Sequence, residues 1–529
     1  MPVLLHRSDD LLAAFDRWAT LDEAACPALD SARRVEGLGA ELEAAFETEA
    51  GNWLDLARTL GRDASAVLAH APSAAANVSD LGLMMAWTRL VRAWGRQPAT
   101  TLFVCDDPWM FRHLMQCDGV VAGGKPPLTG RRLALWLRGY AARSRVALRM
   151  ARNALAWRPL RRRLGAGDAV LLVYGHPSST ADGFDGYFGD LMRQMPKLKR
   201  ALHVDGSATV ARSLCRDGRT LSLHAFGNPL KALALIFAKW RPSAEHRQGT
   251  QGWLVRRAAA MEGGSGQAAM VAWQDHCQGE WLKSAPPAVV AWPWENHGWE
   301  RALARRLRAL GVNGVGYQHS VVGRQMLNYG PGSNPDGAES LPQRILTAGE
   351  ATLKRLMAMG VPQARLTVAG SLRFPRAASV AHDPDGPVYV ALPFDPAICR
   401  QMIAACRQVR GRRFLVKAHP MYPFDLPADA EIARTEKTLD QCESLSCVLY
   451  AATTVGLEAV LAGLPTLRFQ PHDRIAMDIL PDHVNVPAVS AEGLQDALEK
   501  PTKPGIFATQ SLFGPVAMGI WQELLTTHD

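Results

Sequence analysis

The amino-acid sequence predicts an α/β protein with two lobes, each built on a doubly wound parallel sheet, that follow a mainly helical N-terminal region. Three observations support this fold class. The chain has 529 residues, more than one hydrophobic core usually supports, so two or three domains are expected. From Asp168 onward, buried strands repeatedly end in short loops that lead into helices, as in a parallel sheet. The polar stretch 381–387, rich in proline, glycine and acids, then separates two series of these units.

The first region, residues 1–165, is predicted to be mainly helical. Leu12, Phe15, Trp18 and Leu21 recur at helical spacing, and residues 41–46 continue a similar pattern. One short strand is expected at residues 101–105. This region contains no motif from which a reaction can be inferred.

The second region, residues 166–376, is predicted to form the first lobe. An apolar run at residues 169–174 is followed by a loop that begins with Gly175 and then by a helix, which is the repeating unit of a parallel sheet. A helix is expected at residues 299–310 and ends before Gly311. Further strands are expected at residues 201–204, 221–226, 288–292, 314–319 and 366–368.

The third region, residues 377–529, is predicted to form the second lobe. Its C-terminal helix is placed so that it can cross back to the first lobe. Two such sheets facing each other leave a cleft. The strands of this lobe are expected at residues 388–392, 413–420, 447–450 and 466–469.

The composition excludes several classes of protein. Apolar residues make up 48% of the chain and charged residues 21%, as in an ordinary globular protein. The N-terminus lacks the basic and apolar pattern of a signal peptide, and no window approaches the roughly 20 apolar residues of a membrane-spanning helix. The nine cysteines occur singly, which favours reduced thiols in the core. A soluble, cytoplasmic protein is therefore expected.

The formal charge of +9 is concentrated in one segment. Residues 131–163 contain eleven arginines and no acid, and Arg138, Arg145 and Arg152 recur every seven residues, so they form one stripe on a helix. Such a stripe can be a solvated face, a contact with an acidic partner, or a peripheral attachment to an anionic membrane, here the inner membrane. No zinc-finger, helix-turn-helix or RNA-binding signature is present, so nucleic acid is not an expected partner.

Two segments of the third region suggest a phosphate-binding site. Lys417, His419 and Pro420 lie at the C-terminal end of a predicted strand, where open α/β sheets bind ligands. In the second segment, Thr453 and Thr454 follow another strand and precede a helix, whose first backbone N–H groups favour an anion. Each segment also has a plain structural interpretation, with Thr454 as a helix cap. Their occurrence together predicts a ligand that carries phosphate.

These two segments resemble the donor lobe of GT-B glycosyltransferases, in particular bacterial sialyltransferases and Kdo transferases that use CMP-activated acidic sugars. The resemblance rests on Lys-x-His-Pro at residues 417–420 and on Thr-Thr-x-Gly-x-Glu-Ala-x-x-x-Gly-x-Pro at residues 453–465. It covers about residues 166–500. It implies that His419, Thr453 and Thr454 contact the CMP phosphate, that Gly456 belongs to the same motif, and that Glu458 binds ribose hydroxyls.

The catalytic group is less clearly marked, because the paired acids and glycine of bacterial sialyltransferases have no clean copy in this chain. Glu295 follows a strand and is flanked by Trp294 and Trp299, a setting expected to raise a carboxyl pKa and suit a general base. It can equally be an acid that complements a helix dipole. Asp182 and Asp185 are alternative bases or nucleophiles, and His319 is expected to line the same cleft.

The resemblance implies a GT-B glycosyltransferase that transfers a CMP-linked Kdo or sialic-acid-like sugar to a glycan or lipid-linked glycan acceptor. No metal and no cofactor besides the nucleotide-sugar donor are expected. Alternatives are a GT-B enzyme that uses a UDP- or GDP-sugar, a glycerol-phosphate polymerase, and a non-catalytic nucleotide- or glycan-binding scaffold. Inverting and retaining chemistry both stay open.

Overall fold

Three parallel β-sheets, each flanked by helices, form the framework of the protein. The computed structural model describes residues 2–11, 14–21, 26, 29–373, 380–419, 424–426, 431–505 and 509–526. The sheets belong to an N-terminal unit, a middle lobe and a C-terminal lobe. Within the described residues, no helix combines the length and apolar character needed to cross a bilayer.

The N-terminal unit contains a four-stranded parallel sheet in the order β2-β3-β1-β4. Its strands are β1 (Val3–His6), β2 (Arg17–Thr20), β3 (Thr101–Val104) and β4 (Val120–Ala122). Its helices are α1 (Leu38–Leu60), α2 (Leu81–Trp94) and α3 (Pro108–Leu114). Helix α4 (Leu128–Trp157) follows, and its buried residues Ala147, Met150, Ala154 and Trp157 pack into the core of the middle lobe.

This sheet corrects the prediction of a helix around Trp18. Trp18 and Ala19 are both buried, but on opposite faces: Ala19 packs in the cluster that contains α1 and α2, and Trp18 packs with Leu102 and Val104. A short strand covered on both faces has no polar alternation, so its apolar residues also fit a helical period. Leu12 lies outside the described residues. The predicted helix at residues 41–46 is confirmed within α1.

The middle lobe is built on a seven-stranded parallel sheet in the order β11-β10-β9-β8-β5-β6-β7. In chain order this is the Rossmann arrangement 3-2-1-4-5-6 with one further strand at the edge. The strands are β5 (Ala169–Val173), β6 (Lys199–Leu202), β7 (Thr220–Ser222), β8 (Val289–Pro293), β9 (Asn313–Gln318), β10 (Arg344–Thr347) and β11 (Leu366–Val368). The helices are α5 (Leu191–Gln194), α6 (Ala208–Leu214), α7 (Pro229–Leu233), α8 (Ala244–Gln248), α9 (Gly252–Met261), α10 (Gly266–Ser284), α11 (Gly298–Ala309) and α12 (Glu350–Ala358).

The C-terminal lobe contains a six-stranded parallel sheet in the order β15-β14-β13-β17-β18-β19, again 3-2-1-4-5-6 in chain order. Strands β12 and β16 form a separate parallel pair. The strands are β12 (Ala381–His382), β13 (Val388–Ala391), β14 (Phe414–Lys417), β15 (Ile432–Arg434), β16 (Ser444–Leu445), β17 (Cys447–Tyr450), β18 (Thr466–Phe469) and β19 (Ala488–Val489). The helices are α13 (Pro396–Gln408), α14 (Val455–Leu461), α15 (Leu494–Glu499), α16 (Thr509–Leu512) and α17 (Met518–Leu525).

Two Rossmann-like lobes that face a common cleft confirm the predicted α/β fold class. One predicted element is only partly correct. The strand expected at residues 221–226 ends at Ser222, and residues Leu223–Phe226 continue as a 3-10 helix. All nine cysteines are buried, as expected for core thiols.

The C-terminal segment returns from the second lobe to the middle lobe. The indole of Trp521, on α17, is fully buried and packs edge-on against the rings of Phe188 and Tyr317. The returning chain is also bonded to the end of the middle sheet, with Ser371 N–H donating to Gly514 O at 3.0 Å. Gly370 permits this approach, because it has a φ of +81° and a Cβ there would lie 2.0 Å from Pro515 O.

The N-terminal unit contacts both lobes through buried arginines. The guanidinium of Arg468, on β18, donates to the Glu43 carboxylate of α1 at 2.7 and 2.9 Å. Arg301, on α11 of the middle lobe, is 3% exposed and donates to the carbonyl of Ser73 at 3.1 Å. The N-terminal unit therefore bridges the two Rossmann-like lobes.

Candidate functional site

A cavity with a volume of about 1520 Å³ lies where the three units meet. Tyr174 and His297, which follow β5 and β8, line it from the middle lobe. Phe394 and Ala452, which follow β13 and β17, line it from the C-terminal lobe. β5 and β8 are neighbours in the middle sheet, and β13 and β17 are neighbours in the C-terminal sheet. In each sheet the strand order reverses between these neighbours, which is the position where open α/β sheets bind ligands. The N-terminal unit supplies the remaining wall.

Two loops at these positions contain strained backbone. Asn296 has a φ of +59° and Ala452 a φ of +49°, a region that residues other than glycine seldom adopt. The side chain of Asn296 is fully buried and donates to Asn328 O at 2.7 Å, which holds the strained conformation in place. Strain of this kind costs about 1–3 kcal/mol and is concentrated at functional sites. Its location marks both loops as candidates for function.

Glu300 holds the loop that carries Glu295. Its carboxylate accepts hydrogen bonds from the backbone N–H groups of Glu295, Asn296 and His297 at 2.9, 3.1 and 3.2 Å. It also accepts one from the indole of Trp292 at 3.1 Å. The loop is therefore fixed to the first turn of α11, and Glu300, which is 1% exposed, positions Glu295.

The carboxylate of Glu295 is paired with His297, whose Nε2 lies 2.9 Å from Glu295 Oε2. Its side chain keeps about a third of its surface exposed, at 36%. Burial opposes ionisation, but the hydrogen bond and charge of His297, together with the charges of His319 and Arg373, lower the pKa of Glu295 to about 2. The prediction that Trp294 and Trp299 raise this pKa is wrong, since nearby positive groups outweigh desolvation.

His319 lies in a cluster of aromatic and cationic side chains beside Glu295. Its ring is 5.0 Å from that of Tyr187, edge to face, and Arg373 lies 5.5 Å from the Tyr187 ring centroid. Burial and the charge of Arg373 lower the pKa of His319 to about 4, so its imidazole is neutral at physiological pH. The cluster adjoins the cavity through Tyr174, whose ring is 6.2 Å from that of Tyr187.

The two alternative acids of residues 182–186 have other partners. Asp182 is exposed, pairs with Arg193 at 2.6 Å and bonds the hydroxyl of Thr180. Asp185 is 1% exposed and accepts from Tyr187 N–H at 2.9 Å, which shapes its own loop. Neither carboxylate lines the large cavity, and that of Glu295 adjoins it only through His297, which does line it.

The predicted donor residues cluster at the carboxyl edge of the C-terminal sheet. Lys417, at the end of β14, lies against Glu436, with a distance of 3.8 Å between Lys417 Nζ and Glu436 Oε2. The His419 ring lies 6.2 Å from that of Phe394, whose side chain is 41% exposed in the cavity. Burial lowers the pKa of His419. Pro420 lies outside the described residues.

The loop between β17 and α14 contains the two threonines. The hydroxyl of Thr453 is buried and has no hydrogen-bond partner within the described chain. Thr454 occupies the N-cap position of α14, but its side chain makes no capping hydrogen bond. A buried donor without a partner is uncommon in folded proteins, so the Thr453 hydroxyl is a candidate ligand contact.

The last two residues of the motif differ in role. Gly456 is needed for packing, because a Cβ at this position would lie 2.4 Å from the Tyr450 ring. Burial raises the pKa of Glu458 to about 7, while the charge of Arg373 opposes that rise. Arg373 therefore acts on Glu295 in the middle lobe and on Glu458 in the C-terminal lobe, and it lies where the two lobes meet.

Two residues of this site are not indicated by the sequence motifs. His297 lies two residues after Glu295, and its ring bonds that carboxylate. Arg373 follows Gly370 at the end of the middle lobe, and only the fold brings it to Glu295 and Glu458. The sequence indicates Arg373 only as an arginine in the loop that follows the predicted strand at residues 366–368. Among the described residues, no group of three or more His, Cys, Asp or Glu side chains is arranged to hold a metal ion.

Comparison with known proteins gives likenesses among solved structures alone. No family model and no curated protein matches the chain. The UDP-GlcNAc 2-epimerase from Neisseria meningitidis is 11% identical, with a TM-score of 0.32 over 56% of this chain and 82% of its own. Anabaena Alr3699/HepE, in complex with UDP and glucose, is 11% identical, with a TM-score of 0.34 over 68% and 95%. The lipopolysaccharide outer core galactosyltransferase WaaB is 10% identical, with a TM-score of 0.32 over 62% and 88%. The Rossmann-like character of the lobes is evident from their own strand orders.

Proposed function

We propose that the protein is a GT-B glycosyltransferase that transfers a CMP-linked acidic sugar, such as Kdo or a sialic-acid-like sugar, to a glycan acceptor. The observation that supports this most is that the charge of Arg373 acts on Glu295, at the carboxyl edge of the middle sheet, and on Glu458, at that of the C-terminal sheet. A carboxylate and a guanidinium at that junction suit proton transfer beside an anionic donor.

In this proposal the C-terminal lobe binds the nucleotide. The buried hydroxyl of Thr453 and the imidazole of His419 contact the phosphate, as the motif resemblance implies. The partly exposed ring of Phe394 offers an apolar face to the base. Glu458 binds the ribose hydroxyls.

Arg373 supports an acidic sugar in particular. A guanidinium forms paired, charge-assisted hydrogen bonds with carboxylate or phosphate, and both groups are present in a CMP-linked ulosonic acid. Arg373 lies at the junction of the two lobes. A donor that is bound by the C-terminal lobe would face the middle lobe at this junction.

Glu295 acts as the general base. In the free protein its pKa of about 2 makes it a weak proton acceptor. An anionic donor would offset the positive charges of Arg373 and His297 and raise that pKa, since a neighbouring negative charge disfavours ionisation. The carboxylate then accepts the proton of the attacking acceptor hydroxyl while CMP leaves.

A thermal-shift panel with CMP, CDP, UDP and GDP tests the donor. We expect CMP to stabilise the protein most, because at equal concentration the ligand that binds the folded state most tightly raises its stability most. If UDP or GDP stabilises the protein more than CMP does, the donor is a UDP- or GDP-sugar and the CMP-sugar assignment is wrong. No response to any nucleotide would favour a non-nucleotide function.

We expect His419→Ala, and separately the double variant Thr453→Ala/Thr454→Ala, to weaken CMP binding about ten- to hundredfold. Each removes hydrogen bonds to a charged phosphate. Isothermal titration calorimetry measures the affinity, and Thr48→Ala, an exposed threonine on α1, is the matched control. Unchanged affinity in both site variants, with normal melting, would show that these side chains are structural.

A further inference from the structure

An exposed surface of the protein combines apolar side chains with a strong excess of arginine. It is formed by α4, by α7 and by the 3-10 helix Ala234–Phe237, and we refer to it as the α4–α7 face. These segments pack together, and Arg143 Nε donates to Ile236 O at 2.9 Å. The face lies outside the cleft cluster around Glu295.

Nine large apolar side chains are exposed on this face, including aromatic rings. Leu230 is 77% exposed and Phe237 is 65% exposed. The others are Leu133, Trp136, Leu137, Tyr140, Leu148, Leu155 and Leu233. At 100° per residue, Leu133, Leu137, Leu148 and Leu155 fall within about 60° around the α4 axis, so they form one stripe. A contiguous exposed apolar area of this kind indicates an interaction surface.

An arginine stripe runs beside the leucine stripe. Arg138, Arg145 and Arg152 lie on α4, as the seven-residue spacing predicted, and all three are exposed. Around the α4 axis, the arginine stripe begins about 40° beyond the edge of the leucine stripe. The eight exposed arginines of this segment form no ion pair among the described residues: Arg131, Arg132, Arg138, Arg145, Arg149, Arg152, Arg158 and Arg162.

Acids are missing from the sequence of this face. No aspartate or glutamate occurs between Asp118 and Asp168 or between Asp217 and Glu245, while the second interval contains Lys231 and Lys239. A second copy of the same face would therefore be repelled. An anionic partner is required by charge, and an apolar medium is required by the leucines and aromatic rings.

We propose that the α4–α7 face docks the protein on the surface of an anionic lipid bilayer. Leucine, tryptophan and phenylalanine side chains enter the boundary between headgroups and acyl chains, and the arginines contact lipid phosphates. Nucleic acid could bind the arginines, but it would leave the leucine stripe without a role. Most hydrogen bonds between proteins and DNA are made to phosphate and sugar.

The start of α4 also forms part of the rim of the large cavity. Pro126, Pro127, Gly130, Arg131 and Ala134 line it. Docking through the α4–α7 face sets this rim beside the headgroups, which suits an acceptor carried on a lipid. That consequence rests on the proposed transfer reaction, whereas docking itself does not.

Vesicle flotation with the full-length protein tests the docking. We expect binding to vesicles of phosphatidylcholine with about one third phosphatidylglycerol to exceed binding to pure phosphatidylcholine by at least about tenfold, and to weaken with salt. Arg138→Glu/Arg145→Glu/Arg152→Glu should abolish the preference. The control Arg96→Glu/Arg212→Glu/Arg400→Glu changes the net charge equally at exposed positions elsewhere and should stay within about twofold of the wild type.

A second variant tests the apolar component. Trp136→Ser/Leu230→Ser/Phe237→Ser removes exposed side chains, so it should fold normally and lose at least about tenfold in vesicle binding. Wild-type protein without a preference for anionic vesicles would overturn the proposal. An equal loss of vesicle binding in the control variant would also overturn it. So would binding to a nucleic-acid duplex that depends on the arginine stripe, if vesicle binding does not depend on it. CMP affinity should be unchanged in every variant, which separates this test from that of the transferase.

Discussion

Replacing Glu295 with Gln is expected to lower turnover by about 10²–10⁴-fold while CMP affinity stays near that of the wild type. Gln keeps the size and most of the hydrogen bonding of Glu but cannot accept a proton, and a general base typically contributes a factor of that order. Steady-state kinetics with a CMP-sugar, together with calorimetry, measures both quantities. The free-enzyme pKa gives a further check, because the acid limb that Glu295 adds to kcat/KM should lie near pH 2.

Asp182→Asn and Asp185→Asn are the comparison variants. Asp182 is exposed and paired with Arg193, so Asn there should leave turnover within a fewfold of the wild type. Asp185 is buried in its own loop, and its replacement is expected to lower the melting temperature first. Near-normal turnover in the Glu295 variant would remove it as the base and direct attention to residues 182–186 or to His319.

Replacing Glu43 with Ala is expected to destabilise the protein by about 3–5 kcal/mol. The change leaves the Arg468 guanidinium buried, 5% exposed, without its bidentate carboxylate, and the nearest remaining acid, Asp478, lies 4.0 Å away. Removing one partner of a buried ion pair is costly. The change also removes the acceptor of the Gln470 amide at 2.9 Å. Chemical denaturation measures the loss in the free energy of unfolding.

The chain offers a matched control one helical turn away. Glu47 also lies on α1 and pairs with an arginine of another unit, but its 3.8 Å contact with Arg324 is solvent-exposed. Glu47→Ala should therefore cost less than about 1 kcal/mol. Equal effects of the two substitutions would show that the buried pair does not tie the N-terminal unit to the C-terminal lobe.

The sequence predicts the strands of the two lobes well where they lie in the centre of a sheet. Cys447–Tyr450 and Thr466–Phe469 begin and end as expected, because apolar runs between turn residues leave few alternatives. Trp18 shows the limit of the method. Which strand it pairs with is decided by residues 101–104, more than eighty positions away, and local spacing does not contain that information.

In the candidate site, too, local features are predictable from the sequence and contacts between distant residues are not. The loops that carry Glu295 and Thr453 were predicted, because each follows a recognisable buried strand. The pKa of Glu295 was predicted in the wrong direction, since the groups that lower it include Arg373, which only the fold brings near. The cavity wall formed by the N-terminal unit was likewise unpredictable, because no local pattern marks packing between units.

The return of the C-terminal chain to the middle lobe has a mechanical consequence. The polypeptide passes between the two lobes twice, once after Arg373 and once through Gly514 and Trp521, whose N–H bonds the carbonyl of Ala369 at 3.3 Å. A body attached at two points can swing only about the line that joins them. The buried Glu43–Arg468 pair adds a third attachment, through the N-terminal unit, that opposes rotation about this line, so the same edges of the two sheets are held in register.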